Sequence, residues 1–471
     1  MKNTKLVRFL ILFNVEEFKK FGLFVRSPYY NRLNNVIKLY DTLKKYYPEF
    51  DGRNFTKENV FKNIFPGEKY NDIKLRALSS YLFSLAEKFL AAEKYLENNI
   101  SVRLDILEAA LKKEDRHLAS KQLESVNLLL PAYKTRNEEY YLTLFKVLFQ
   151  RNVLSGYFSG KMNFQKEIDA LTVYFIATVL RTSAVAFHTQ SMLQVNIRTD
   201  LTELVIKLAE TEPYKRIPVV KMNYALYMIT KNIEDEKYFF RFVSLLEKHP
   251  SVYSSRELSQ EIYHLLINFC IIKIQKGFKK YIKAKLDLCK LLLSQKIQDA
   301  EEYFPLFFFH TIIASALQNN DTEFAESFIE RYKGKLDPKI SRDIIELSYA
   351  KLHYHSKRYD KALGCLAKIS DSEDIFLKLA WKDLYIKTFF ENGDFEQVFS
   401  IIDSYKHFLY KNPLLSTEVK KRYQVYLNMT RELLKLKLIP DKNKLQEMKK
   451  TLENTPGFVN KDWIEEKLKE I

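Results

Sequence analysis

The sequence predicts an all-α protein, an α-solenoid of helical hairpins, and three observations carry that expectation. The first is a repeat: Asn319-Asn320-Asp321-Thr322-Glu323-Phe324-Ala325 is echoed by Ser356-Lys357-Arg358-Tyr359-Asp360-Lys361-Ala362, and then by Asn392-Gly393-Asp394-Phe395-Glu396-Gln397-Val398. Aligning Ala325, Ala362 and Val398 gives steps of 37 (362 − 325) and 36 (398 − 362) residues, the length of one helical hairpin stacked on the next. The second is the recurrence of apolar residues at steps of three and four, with no sustained strand-like alternation. The third is composition. Only 10 Gly and 12 Pro occur in 471 residues, with 46% hydrophobic and 14% aromatic content, which excludes collagen-like, disordered and Gly-rich β architectures. Length alone suggests roughly three domains, but a repeat array grows without starting a new core. The expected organisation is an N-terminal helical domain over 1–100, irregular hairpins over 101–250, regular repeats over 251–412 and capping helices over 413–471.

The elements follow in order. A first helix carries Leu6, Phe9, Leu10 and Phe13 on one face, and a second runs from Val15 to near Gly22. Asn31 is placed to cap a third helix with Leu33, Val36, Tyr40 and Leu43 at helical spacing. Thr56 and Asn71 cap the next two, with Phe55/Val60 and Tyr70/Leu75 at hydrophobic-staple positions. After Asn71, Leu75, Leu78, Leu82, Leu85 and Phe89 form a buried stripe. Helices are predicted over Arg103–Lys112, Arg116–Leu130 and Asn137–Arg151, ahead of a Gly156/Gly160 loop. More follow over Gln165–Arg181, Asp200–Ala209, Val219–Lys231 and Tyr238–Lys248. The regular hairpins pair Glu257–Lys276 with Tyr281–Gln295, Tyr303–Leu317 with Glu323–Tyr332, Ser341–His355 with Asp360–Ile369, and Asp374–Phe390 with Phe395–Leu409. Thr417–Lys437, a helix from Pro440 to Pro456 and a tail from Asn460 close the chain, covering the end of the array.

Charge and cysteine usage bound the function. The chain has 76 Lys and Arg against 59 Asp and Glu, a net charge of +17. Such a balance attracts nucleic acid, acidic proteins or anionic lipid. No basic block is dense enough to demand a polyanion, so lysines that solvate helices are the favoured explanation. Cys270, Cys289 and Cys365 lie far apart without metal-finger spacing, which implies a reducing compartment. Lys2, Lys5 and Arg8 ahead of Phe9–Phe13 imitate a signal peptide, but Glu16 and Glu17 follow at once. The longest apolar stretch recognised, Phe304–Leu317, is shorter than a membrane span. A bacterial cytoplasmic protein with no membrane span is expected.

The regular half resembles tetratricopeptide (TPR) repeats, on Ala350, Tyr359 and Ala362 in one copy and Phe395 with Val398 in the next. Thr322 replaces the aromatic residue in the copy before, Ile313 and Ile386 stand where a small residue is expected, and the steps exceed the usual 34 residues of that repeat. The resemblance implies a right-handed solenoid that binds peptides or partner helices on its concave face. Residues 55–91 resemble the helix-turn-helix part of bacterial transcriptional activators, through Phe55-Thr56-Lys57-Glu58, Ile64-Phe65-Pro66, Lys74-Leu75-Arg76 and Leu82–Leu85. That resemblance implies a major-groove helix presenting Lys74, Arg76, Ser79, Ser80 and Phe83. No β-wing follows, and the alternative is a plain α-hairpin stapled to the array.

No nucleotide, zinc-protease or serine-hydrolase motif occurs. His353 and His355 are two residues apart on a helix and face different directions. Glu234-Asp235-Glu236 precede a helix, where negative charge is favourable. Lys276, Lys279, Lys280, Lys283 and Lys285, with Phe278 and Tyr281 between them, gather at one hairpin turn. They suit either nucleic-acid or acidic-partner contact, or inward packing of the two rings. The sequence thus predicts a non-enzymatic scaffold that binds a protein or peptide partner without a cofactor or metal. The alternative is a nucleic-acid-binding regulator with the array as its sensor or oligomerisation arm.

Overall fold

A computed structural model describes residues 1–133, 135–156, 163–193, 195–198, 200–253, 255–294, 303–338, 340–370, 374–455 and 457–471. The expected positions Gly160, Gln295 and Pro456 lie outside them. Among the described residues the chain forms 23 α-helices, no strand and one isolated antiparallel bridge, Leu193 with Leu415. It divides into two compact units: Met1–Ala132 with Lys146–Phe164, and Tyr133–Phe145 with Gln165–Ile471.

The first unit holds α1 (Lys5–Leu10), α2 (Val15–Arg26), α3 (Asn34–Lys44), α4 (Lys57–Ile64), α5 (Asp72–Glu97), α6 (Asn99–Lys112), α7 (Arg116–Leu129) and the later part of α8 (Glu138–Ser155). Thr56 and Asn71 start α4 and α5 as expected, accepting from the Asn59 and Lys74 amides at 3.2 and 3.0 Å. Buried Leu75, Leu82, Leu85, Ala86 and Phe89 place α5 against α1, α2 and α3. Asn31 is not the cap of α3. Its Oδ1 accepts from the Leu33 amide at 2.9 Å and its Nδ2 donates to Val25 O at 2.8 Å. The side chain is therefore committed to tying the loop to α2, and the helix begins three residues later.

The second unit opens with α9 (Phe164–Met192, all but its first residue), α10 (Asp200–Ala209), α11 (Pro218–Lys231) and α12 (Lys237–Lys248). Helix α9 runs past the expected Arg181 end. It is long and apolar enough to cross a membrane, with mean hydropathy 1.6 over its most apolar window, a third of which is buried within the protein. The sequence reading overlooked it in favour of Phe304–Leu317. Val173, Ile176, Ala177, Leu180 and Ala184 of α9 are buried in the unit's core. Arg181 of the same helix pairs with Glu138 at 3.1 Å and Glu261 at 3.0 Å, and Asn223 Nδ2 donates to Glu138 Oε1 at 2.8 Å.

Four hairpins follow: α13 (Arg256–Gln275) with α14 (Lys280–Ser294), α15 (Leu306–Gln318) with α16 (Thr322–Tyr332), α17 (Ser341–His355) with α18 (Tyr359–Leu366), and α19 (Ile375–Asn392) with α20 (Phe395–Lys411). One turn serves all four. Gly277, Asn320, Lys357 and Gly393 adopt positive φ of 92°, 58°, 57° and 83°. The next amide then reaches back five residues, from Phe278 to Lys273 O, Asp321 to Ala316 O, Arg358 to His353 O and Asp394 to Phe389 O, at 2.9–3.0 Å. This is the Schellman closure of a helix end. The turn recurs at steps of 43 (321 − 278), 37 (358 − 321) and 36 (394 − 358). Four residues beyond the last three turns lie Ala325, Ala362 and Val398, each fully buried, as is Ala350 on α17. Tyr359 and Phe395, the first residues of α18 and α20, are half-buried and lie 5.7 and 5.8 Å from Tyr354 and Phe390. In the first unit, Glu114 (φ 60°) and the Asp115 amide bonded to Ala110 O make the same turn between α6 and α7.

Helix α15 packs on α17 and α17 on α19, and each of α14, α16 and α18 also touches the first helix of the next hairpin. The chain ends with α21 (Thr417–Leu438), α22 (Lys442–Asn454) and α23 (Lys461–Lys469). The amide and hydroxyl of Ser416, just before α21, donate to Met192 O at 3.2 Å and Ser191 O at 3.1 Å. The end of α9 therefore meets the start of α21.

Candidate functional site

The predicted basic cluster at the α13/α14 turn divides in two. Lys276 and Lys280 pair with Glu234 and Glu236. Lys273, almost wholly buried, sits 3.8 and 3.6 Å from the same two carboxylates. The acidic triplet expected to serve a helix start does so through Asp235, which accepts from the Lys237 amide at 3.2 Å; its two neighbours hold lysines instead. Tyr281 packs inward against Phe239 and Phe269, both at 5.6 Å, whereas Phe278 stays exposed with the Lys273 ammonium 4.8 Å from its centroid. Lys279 and Lys283 remain exposed, without a carboxylate partner among the described residues. Lys285 is buried and donates to Gln318 Oε1, so it does not belong to the exposed turn.

On α5, Lys74 pairs with Glu68 at 2.7 Å and lies 3.8 Å from the Phe65 ring. Arg76 pairs with Asp72 at 2.6 Å. Ser79, exposed Ser80 and Phe83 border a cleft of about 550 Å³, and the Phe83 ring is 5.1 Å from Phe9 of α1. Arg76 borders the same cleft, whereas Lys74 lies on the other side of the helix against Phe65, so the structure does not bring the predicted residues to one face, and both cations are already matched by carboxylates.

A polar constellation that the sequence reading did not single out lies on the first helices of the second unit. Lys351 of α17 and Lys387 of α19 each stand seven residues before their turn (358 − 351 and 394 − 387). His310 of α15 and Asp383 of α19 each stand eleven before (321 − 310 and 394 − 383). All four are half-buried, with protein around most of each side chain. Burial, with Lys285 close by, pulls Lys351 down to about 8, and burial pulls Lys285 to about 8 as well. Burial pushes Asp383 up to about 7, against the opposing pull of Lys387. His310 is held well below its ordinary value by burial and then by Lys351. Neither of its ring nitrogens has a hydrogen-bond partner among the described residues. The one signal in the sequence was the shared register of charged residues within otherwise apolar helices.

The C-terminal helix α23 lies against this face. Asn460 Oδ1 accepts from Lys387 Nζ at 2.7 Å. Glu391 of α19 meets Trp463 Nε1 at 3.3 Å, Lys467 Nζ at 2.8 Å and Tyr354 OH at 3.4 Å. The Trp463 ring is 5.2 Å from Phe390 and 6.3 Å from Tyr426, and Ile464 and Leu468 are buried beside it. Cys270 and Cys289 are buried free thiols, pushed up to about 12 and about 11 by burial and so kept from acting as thiolates at neutral pH. This face carries the ammonium groups of Lys351 and Lys387 and the carboxyl of Asp383, while both ring nitrogens of His310 are enclosed by protein. It is suited to recognition by charge and hydrogen bonding. No protein-family model, no curated protein and no solved structure matches the chain.

Proposed function

We propose that the protein is a non-enzymatic interaction scaffold whose second unit is a right-handed, TPR-like α-solenoid that holds a partner's helix or peptide along its first helices. The observation that carries this reading is the shared register of Lys351 with Lys387 and of His310 with Asp383. A repeat that places ionisable groups on one face, and keeps them there despite the cost of desolvation, has a use for that face beyond stability. Helix-in-groove binding uses such a face, with apolar anchors for affinity and polar groups for orientation. The buried free thiols support a reducing setting such as the cytoplasm. Ion pairing of Lys74, Arg76, Lys276 and Lys280 favours this reading over nucleic-acid binding, because a matched cation releases fewer counterions on meeting a phosphate.

The test is chemical crosslinking of the full chain in the cells that produce it, beside a Lys351→Glu/Lys387→Glu chain of equal helicity. A partner segment crosslinked to α17 or α19 and lost in the variant supports the reading. The same partners with both chains overturn it.

A further inference from the structure

The chain's last helix, α23, packs on α21 and α22 and also reaches the face just described through Asn460, Trp463 and Lys467. Gly457 leads into the last segment at a point where a Cβ would stand 2.6 Å from Gln275 O and 2.9 Å from the Lys276 amide nitrogen, so the chain passes the end of α13 only because this residue has no side chain. From there α23 is held by a small set of complementary groups. The indole N–H of Trp463 and the ammonium of Lys467, one helical turn apart, converge on the single carboxylate of Glu391, whose side chain is only 12% exposed. Asp462, exposed at the start of α23, adds an attractive charge toward Lys387 and, more weakly, Lys285, without a direct ion pair to either among the described residues. Trp463, Ile464 and Leu468 form the apolar side of the helix. Nine residues contribute this whole pattern, so α23 has the dimensions of a ligand.

We propose that Gly457–Glu470 is a resident, exchangeable ligand of that face, and that the partner it yields to is an amphipathic helix with an Asp-Trp pair and a Lys four residues after the Trp. The partner's Trp and Lys take the place of Trp463 and Lys467 on Glu391, and its Asp supplies the negative charge that Asp462 brings to the start of that helix. The chain thereby lowers its own affinity for weak partners, because any guest must first displace a tethered competitor. The idea rests on the helix-binding reading above and names the guest's chemistry.

The test uses a labelled peptide of residues 457–471 as the guest, followed by fluorescence anisotropy against the full chain, a Gly457→Val chain and a Gly457→Val/Glu391→Ala chain. The natural chain is expected to bind weakly and Gly457→Val at least about tenfold more tightly, with that gain lost when Glu391 is removed. Equal binding to all three chains, or none to Gly457→Val, overturns the proposal. Hydrogen exchange on the unmodified chain gives an answer that does not depend on how the variants fold. Amides of Ile464–Leu468 are expected to exchange at least about a hundredfold faster than those of Tyr426–Leu434 in α21, and equal rates overturn the proposal. If α23 proves fixed while a crosslinked partner still depends on Lys351 and Lys387, this inference falls and the helix-binding reading stands. If the tail opens and the released face takes no helix of any composition, both fall.

Discussion

Asp383 sits among Lys351, Lys387 and the hydroxyl of Tyr405, which donates to it at 3.0 Å, so its protonation rather than its shape governs the local energy. Its carboxyl is raised from 3.8 to about 7 by burial. The folded chain therefore holds this proton more tightly than the unfolded one. The stability this contributes is complete below the unfolded value and is lost as pH rises through about 7. Lys285 and Lys351, lowered from 10.5 to about 8, run the other way: their contribution is complete above the unfolded value and lost as pH falls through about 8. Replacing Asp383 by Asn removes the first dependence alone. In urea titrations the variant's stability relative to the natural chain should rise by on the order of 2–4 kcal/mol between about pH 4 and about pH 8, and a pH-independent difference would contradict the assignment. Arg181 supplies a second test at this scale. Glu138 and Glu261 share its guanidinium in the second unit's core, and Arg181→Met leaves both carboxylates without it. The expected loss is about 3–5 kcal/mol of unfolding free energy, read as a lower urea midpoint; a loss below about 1 kcal/mol would mean water already serves them.

Among the elements, the repeated turn is the most informative. Gly393 holds φ of 83° with nothing within 4 Å of where a Cβ would be, so Gly393→Ala tests backbone strain without a clash and should cost about 1 kcal/mol. Lys357 holds φ of 57° in the equivalent turn, and Lys357→Gly should stabilise by about 0.5–1 kcal/mol. Shifts of the same sign in thermal unfolding would show that the two turns are not equivalent. The last three turns were legible in the sequence because each places a small side chain, Ala325, Ala362 or Val398, four residues after the closing amide, whereas Ile282 holds that place in the first. The expected span Ser341–His355 matches α17 residue for residue. Asn31 was misread because an Asn side chain closes a local turn as readily as it caps a helix. The end of α9 was misread because its apolar residues continue past Arg181 without a Gly or Pro to stop them. The polar constellation on α15, α17 and α19 was hidden for a different reason: a lysine in a helix looks the same in sequence whether it faces solvent or an enclosed face. Its partner Asn460 lies 73 residues away from Lys387, beyond any local pattern.

At the level of the molecule, the first unit is an α-helical body with a core rich in Phe and Tyr, and the second contains a run of hairpins in which α15, α17 and α19 carry ionisable residues at matching places. The positive charge of the chain is largely internal to this arrangement at the sites singled out from sequence. Lys74→Glu with Arg76→Glu is accordingly expected to leave nucleic-acid retardation at low salt unchanged, and a steep loss would restore the helix-turn-helix reading. The central claim is that the polar face on α15, α17 and α19 takes a helix and that α23 is the helix it holds at rest. Trp381 and Trp463 are the only tryptophans, so in a Trp381→Phe chain all indole emission reports on α23. Titrating that chain with a 457–471 peptide whose own Trp463 is 4-fluorotryptophan, which keeps the indole N–H but hardly emits, should move the emission to longer wavelength, as the resident indole leaves the side chains of Phe390 and Tyr426 for water. Emission that stays at its starting wavelength through a large excess of peptide would contradict the claim.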